Sequence, residues 1–383
     1  MKKTLIFVLL VSMFLVSCFT VADKQAHAST GVLPLVSLNA PAYASSQKYS
    51  SVGAKYADDA TYDTYWRSSG ATPVWLAYDL SGAHLSGNAL VVWYNTATGT
   101  YDTSLTGEKA YNIPGTYEID GNAAPGGTLP TSGWTTLASV SGNTYHSRQS
   151  IVNMAGYNWI RIYVTAVDGS TSNMDAAINM DVYDASSVNA PLPDDFIFYG
   201  DSITRSSMAQ TSANGVGSFA SLIAAKNAGH WPVEEDGGIG GYKTSDGVAH
   251  LPTWLSIFPG SYITLNLGTN DALGGTTQAA VYANFNTMVQ DALAAGVTPI
   301  IPTIPWGPNS NIQKYGPVVN AAIEQIYAAY PTQVIVGPDL WNTFLNQTQL
   351  FGTDGIHPNS AGQGVYRQAY ACSIDASIYG VSC

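Results

Sequence analysis

The hydrophobic pattern changes texture once along the chain. Between residues 34 and 186, short apolar or alternating runs recur: "VWLAYDL" (74–80), "ALVVWYN" (89–95), "GTYEID" (115–120), "WIRIYVTA" (159–166) and "INMDVYD" (178–184). Clusters of Gly, Asn, Ser and Thr separate them, with no helix-length periodic segment between. Short strands spaced by turn signals predict an all-β sandwich or barrel. Residues 187–194, "SVNAPLPD", read as a linker of small residues with two prolines. From 195 to 383 the pattern alternates. Strand candidates at 195–199, 232–235, 262–266, 298–303 and 333–336 are separated by helical patterns at 217–228, 278–296 and 316–330. In the second of these, Val281, Phe285, Met288 and Leu293 fall near one helical face. Apolar strands alternating with helices predict a parallel sheet covered on both faces, and sites in such sheets lie beyond the carboxyl ends of the strands.

Composition fits two folded domains. The chain has 383 residues, 46% of them hydrophobic and only 10% charged, with 37 Gly and 24 Tyr. The net charge of −12 argues against a nucleic-acid partner, because phosphates would be repelled. Residues 1–28 read as an export signal: Lys2-Lys3, an apolar stretch from Leu5 to Val16, and a small-x-small cleavage site at Ala26-His27-Ala28. That predicts a secreted protein with no membrane span. A second reading stays open, in which Leu15-Val16-Ser17-Cys18 is a lipobox and Cys18 carries a lipid anchor. Past the signal only Cys372 and Cys383 remain, and an oxidising compartment would pair them.

The chemistry-bearing segments follow predicted strand ends: "YGDSIT" (199–204), "EDGGIGGYKT" (235–244), "LNLGTND" (265–271) and "GTDGIHPN" (352–359). Ester hydrolysis by a hydroxyl needs a base in hydrogen-bond reach, a group holding that base in one tautomer, and donors for the developing oxyanion. Ser202, His357, Asp354, the Gly238 amide and the Asn270 side chain supply those parts. Each alone has a plainer role. Ser202 suits a helix N-cap, the glycines suit turns and Asn270 suits an Asx-turn. The joint occurrence points to catalysis.

In this order the blocks resemble the SGNH (GDSL-type) hydrolase family, over roughly residues 195–371. They are Gly200-Asp201-Ser202, Gly238-x-x-Gly241, Gly268-x-Asn270-Asp271 and Asp354-x-x-His357-Pro358. The resemblance implies a flavodoxin-like α/β/α sandwich and a triad of Ser202, His357 and Asp354. It implies an oxyanion hole made by Ser202, Gly238 and Asn270, and no required cofactor. One departure is Asp236, where the family usually has Asn. Trp306 and Asp201 are further candidates for substrate contact.

In the first half, "YADDATYDTYW" (56–66), "WLAYDLSG" (75–82) and "NWIRIYVTA" (158–166) resemble a discoidin-like, galactose-binding-type jelly roll over about residues 36–186. Asp59, Thr64 and Trp66 match its opening, with Ala60 in place of the usual glycine. Such modules often bind sugars through aromatic faces, and Trp75, Trp93, Tyr94, Trp134 and Tyr145 are available. Asp58, Asp59 and Asp63 form a carboxylate cluster that suits a structural calcium ion. No metal is implied for catalysis.

The leading expectation is a secreted serine esterase removing acetyl groups from an acylated polysaccharide or small ester. A lipase, arylesterase or polyester hydrolase of broad acyl range is the enzymatic alternative. A non-catalytic carbohydrate-binding adhesin is the alternative of another class. A glycosidase is disfavoured, since it needs two apposed carboxylates and the five Glu lie in no such setting.

Overall fold

The computed structural model describes residues 32–383 apart from 60–61, 63, 96–111, 169–174, 209–214 and 228–229. The expected export signal, Cys18 and Asp63 therefore lie outside the described residues. Among the described residues, nine strands form the first half: β1 (Ala42–Ala44), β2 (Trp66–Arg67), β3 (Val74–Asp79), β4 (Asn88–Tyr94), β5 (Ile113–Asn122), β6 (Thr135–Val140), β7 (Ser147–Asn153), β8 (Trp159–Asp168) and β9 (Ala177–Asp184). They make two antiparallel sheets, β1-β3-β8-β5-β6 and β2-β9-β4-β7. Inward residues alternate along the strands, as period-two geometry requires. Leu76 and Tyr78 of β3, Ile160, Ile162 and Val164 of β8, and Val91 and Trp93 of β4 meet in one core.

The second half holds a five-stranded parallel sheet ordered β11-β10-β12-β13-β14. Its strands are β10 (Leu192–Gly200), β11 (Val233–Gly238), β12 (Gly260–Asn266), β13 (Thr298–Ile301) and β14 (Ile335–Val336). The helices are α1 (Ser202–Met208), α2 (Phe219–Lys226), α3 (Thr244–Leu255), α4 (Thr269–Gly274), α5 (Gln278–Ala294), α6 (Ser310–Ala329), α7 (Leu340–Phe344) and α8 (Ser360–Ile374). Alternate residues of β10 serve opposite layers. Ile197 and Tyr199 pack with residues of α3, α5 and α6, while Phe196 and Phe198 pack with those of α1, α2 and α8. This is the α/β/α sandwich expected from the alternating pattern. In α5, Val281, Phe285 and Met288 are buried as expected, but Leu293 is half-exposed and Val289 and Ala292 complete the face. Cys372 and Cys383 are joined in a disulfide, which ties the last residues back to α8.

The segment expected to be a linker is corrected. β10 begins at Leu192, which is buried and whose N–H donates to the Pro259 carbonyl at 2.7 Å. The halves meet over a buried seam rather than a tether. The outer face of the β2-β9-β4-β7 sheet contributes Leu90, Val92, Tyr94 and Tyr183, packed with Leu192 and Val233 of the α/β half. That double coverage explains why "ALVVWY" reads as a continuous apolar run: both faces of β4 are buried.

The seam also buries three consecutive acids of edge strand β11. Burial pushes Glu234 up to about 8, Glu235 to about 7 and Asp236 to about 7. Their neutral forms are therefore favoured in the folded state. The stability this contributes is full below the ordinary carboxylate range and is lost as pH rises through 7 to 8. The melting temperature should thus fall between about pH 5.5 and about pH 8.5, and Glu235→Gln should flatten that slope. Thermal denaturation across this range checks it; a melting temperature that rises with pH would contradict the assignment.

Candidate active site

β10 ends at Gly200, and the chain turns directly into α1 with Ser202 as its first residue. Asp201 makes this turn. Its Oδ1 accepts the Ile203 N–H at 2.9 Å, and its backbone carbonyl accepts the Arg205 N–H at 3.1 Å. Asp201 is buried, and burial pushes its carboxyl up to about 6 against the opposing effects of the Ile203 N–H and then of His357. Its expected role as a substrate contact is corrected to that of a turn-forming residue beneath the serine.

His357 reaches the same point from the segment between α7 and α8. The Gly352 N–H donates to the His357 carbonyl at 2.8 Å, and Phe351 bridges Pro358, closing a small loop. Within it, Asp354 Oδ1 accepts the N–H groups of Ile356 and His357 at 2.9 and 3.1 Å. Asp354 Oδ2 lies 2.6 Å from His357 Nδ1, and His357 Nε2 lies 2.8 Å from Ser202 Oγ. With Asp354 accepting from Nδ1–H, the Nε2 lone pair faces the serine hydroxyl. Burial slightly opposes ionisation of Asp354, but the hydrogen bonds from His357 and the Ile356 N–H hold it down to about 2. The side chains of His357 and Asp354 are 43% and 46% exposed, so the group opens to solvent.

The donors differ from expectation in one place. The Gly238 N–H is engaged by Asp236 Oδ1 at 2.9 Å, and Gly238 packs so closely on Arg205 that a Cβ there would sit 2.3 Å from its backbone nitrogen. Gly238 is therefore corrected from oxyanion donor to close-packing residue. Beyond it, Gly240 and Gly241 form a turn, Gly241 at φ +84°. No hydrogen bond engages their N–H groups among the described residues, and a Cβ on Gly240 would lie 4.0 Å from the Ser202 Cβ. Asn270 sits in the first turn of α4 and donates one amide hydrogen to the Tyr242 carbonyl at 2.9 Å. Its second amide hydrogen remains for a ligand.

Trp306 is corrected as well. It is 6% exposed and packs on Phe351 in the core beneath the histidine loop. Two supporting groups escaped sequence reasoning. Asn266 Nδ2 donates to Thr204 Oγ1 at 2.7 Å and contacts the Tyr366 hydroxyl, under α1. Asp271 accepts the Thr244 N–H and hydroxyl at 2.8 and 2.9 Å, tying α4 to α3. The Asn and Asp were visible in the "LNLGTND" segment, but their partners lie 62 and 27 residues away in sequence.

In the sandwich, Trp93 and Tyr94 are buried, and Tyr145 packs on Trp254 of the α/β half. Trp75 and Trp134 remain half-exposed. The Arg161 guanidinium lies over Trp134 and Tyr163, at 4.4 and 4.6 Å. Thr64 donates to Asp59 at 2.9 Å, and Tyr62 to Asp181 at 2.9 Å. Burial pushes Asp58 up to about 8, helped by the Asp181 and Asp59 charges, and its Oδ2 is buried with no hydrogen-bond partner. Among the described residues no group of three or more His, Cys, Asp or Glu is arranged to hold a metal. No helix among them is long and apolar enough to cross a membrane.

Residues 198–365 match the family model of the GDSL-like Lipase/Acylhydrolase family. The chain is 28% identical over 166 residues to Esterase TesA of Pseudomonas aeruginosa, covering 43% of this chain and 79% of that one. It is 29% identical over 127 residues to Thioesterase 1/protease 1/lysophospholipase L1 of Escherichia coli K12, covering 33% of this chain and 59% of that one. Among solved structures, a chitosan-binding module 2 from a Paenibacillus sp. IK-5 chitosanase/glucanase aligns with 39% of this chain and 98% of its own. That alignment has 19% identity and a TM-score of 0.29.

Proposed function

We propose that this chain, a carboxylic ester hydrolase whose residues 198–365 form a GDSL-like lipase/acylhydrolase domain, cleaves acetyl esters on carbohydrate through a serine acyl-enzyme. The observation that carries the mechanism is the unbroken line from Ser202 Oγ through His357 to Asp354, at 2.8 and 2.6 Å. Ser202 Oγ attacks the ester carbonyl as His357 Nε2 takes its proton. Asp354, kept ionised, stabilises the imidazolium that forms. The oxyanion is held by the Ser202 N–H, the second amide hydrogen of Asn270 and an N–H of the Gly240–Gly241 turn. His357 then returns the proton to the leaving alcohol, water enters, and the same base activates it to release the acid. Donors fixed in place before reaction need no rearrangement as charge develops, which is why such sites are effective.

The carbohydrate part of this reading is supported by the sandwich. Its outer sheet, away from the α/β half, carries Trp75, Tyr163, Arg161 and Trp134, a surface of ring faces and hydrogen-bonding groups suited to sugar rings. The signal at residues 1–28 and the Cys372–Cys383 disulfide support export to an oxidising compartment. In the loop of Asp58, Asp59 and Asp63, a calcium ion would give the partnerless Asp58 Oδ2 a counter-charge.

Ser202→Ala should lower kcat by about 10³-fold or more, because such residues act as a unit. Asn270→Ala should cost roughly 10²–10³ in kcat, the scale of one oxyanion donor. Steady-state hydrolysis of p-nitrophenyl acetate measures both, and turnover by Ser202→Ala at the unmutated rate would remove the nucleophile. A panel from acetyl to decanoyl nitrophenyl esters, run beside acetylated xylan, tests the substrate class. Activity should be greatest on acetyl; confinement to long acyl chains would overturn the carbohydrate-deacetylase reading. If calcium is bound, chelation should lower the melting temperature by about 5 °C or more, and an unchanged value removes the ion.

A further inference from the structure

The turn beside Ser202 is held from outside its own domain. Gly240–Gly241 is preceded by β11 and followed by α3. Among the described residues β11 is an edge strand, paired only with β10. Its flank is covered by the first residues of β7 from the sandwich. Ser147, fully buried, aims its Oγ–H between two acceptors, Glu235 Oε1 at 2.8 Å and the Asp236 carbonyl at 3.1 Å. Two residues on, and on the same strand face, Gln149 Nε2 donates to Asp195 Oδ1 of β10 at 2.8 Å. Just before Ser147, the rings of Tyr145 and His146 pack edge-on against Trp254 of α3, with centroids 5.0 and 5.7 Å apart. Trp254 in turn meets Tyr199, three residues before Ser202, at 6.0 Å. Four residues within the five-residue stretch 145–149, namely Tyr145, His146, Ser147 and Gln149, therefore touch the strand before the glycine turn, the helix after it and the strand that leads to the serine.

We propose that the segment Tyr145–Gln149 of the β-sandwich is a positioning element of the esterase site, with Ser147 its central residue. The route is short. Ser147 holds the backbone of Asp236; the Asp236 side chain holds the Gly238 N–H; and Gly238 leads through Ile239 into the Gly240–Gly241 turn. An edge strand lacks a second strand to fix it, so its end is free to shift by fractions of an ångström without such a brace. Oxyanion donors work only where they are placed beforehand, and a misplacement of about 1 Å can cost about 10²-fold in rate. On this view the β-sandwich is part of the catalytic machinery as well as an appended surface. The proposal rests on the serine-esterase reading above.

The test uses the full chain. Ser147→Ala deletes the brace on β11 while keeping the packing, and Tyr145→Leu loosens the other side of the turn on α3. Hydrolysis of p-nitrophenyl acetate gives kcat and KM. Inhibition by phenylboronic acid, whose tetrahedral serine adduct places an oxygen in the oxyanion site, gives Ki. Each variant should lower kcat by about tenfold, less than loss of a donor itself, with KM within about twofold. The boronate Ki should rise by a similar factor. If both variants only lower the melting temperature, with kcat and boronate Ki as in the unmutated chain, the contact is merely structural and the proposal is overturned. Ser202→Ala, run in parallel, separates the two failures. If it keeps full turnover, the esterase reading fails and takes the proposal with it. If it is inactive while Ser147→Ala is fully active, the proposal alone fails.

Discussion

The site depends on a steric constraint: strand ends that meet with no room for side chains. Gly200 and Gly238 are register partners at the ends of β10 and β11. A Cβ on Gly200 would sit 2.1 Å from Thr204 Oγ1 and 2.8 Å from the Asn266 carbonyl oxygen. A Cβ on Gly238 would collide with the backbone of Arg205. Bare glycine at both positions lets α1 rest directly on the sheet, and this brings Ser202 up to the rim. The imidazole arrives independently, on a loop that Asp354 organises through two backbone N–H groups and the ring itself. The hydroxyl-to-imidazole contact is thus the meeting of two separately built pieces. A helix displaced outward by one methyl group would separate them.

The second governing feature is electrostatic. Three adjacent acids on an edge strand would, in isolation, be a solvated edge that resists pairing with other chains. Here the sandwich covers that edge, and each acid is matched individually. Glu234 accepts the Ala220 N–H, Glu235 faces Ser147, and Asp236 accepts the Gly238 N–H beside the Arg205 charge. Buried acids of this kind add little net stability, since desolvation offsets what their partners return. Their effect is positional: the strand can sit in one place only, because any slip would strand a carboxyl without its partner.

What was legible in the sequence follows from how local each signal is. The four blocks could be read because a chemistry-bearing residue sits within a few positions of the turn that presents it, as Asp354 does with His357. The two fold classes could be read from period-two and strand–helix patterns. The identity of the glycine donor could not. Whether an N–H is available depends on what accepts it, and Asp236 claims the one at Gly238. Trp306 misled for a related reason, since an aromatic after an apolar strand looks the same whether it faces a pocket or Phe351. The prolines on either side of Leu192 suggested a tether because local sequence cannot show that the neighbouring backbone is already paired to Pro259. Ser147 carried no signal at all: its partner is 88 residues away, in the other domain.

One trace of the domain contact did lie in the sequence, in β4. A sandwich strand with one face in water alternates, whereas "ALVVWY" does not. Val91 and Trp93 point into the sandwich core, and Leu90, Val92 and Tyr94 point into the seam. The opposite sheet tells the complementary story. β8 alternates between buried Ile160, Ile162 and Val164 and the less buried Arg161, Tyr163 and Thr165, as a strand with one free face should. The sandwich thus divides its two outer faces. One is apolar, with acid-matching polar groups at its edge, and is committed to holding the hydrolase half. The other is aromatic and polar and faces away. A module whose sole task was to present a binding surface would have no need to bury Leu90, Val92 and Tyr94 of that face against the half it serves. That burial ties the placement of the surface to the placement of the glycine turn, so the two halves form one mechanical unit.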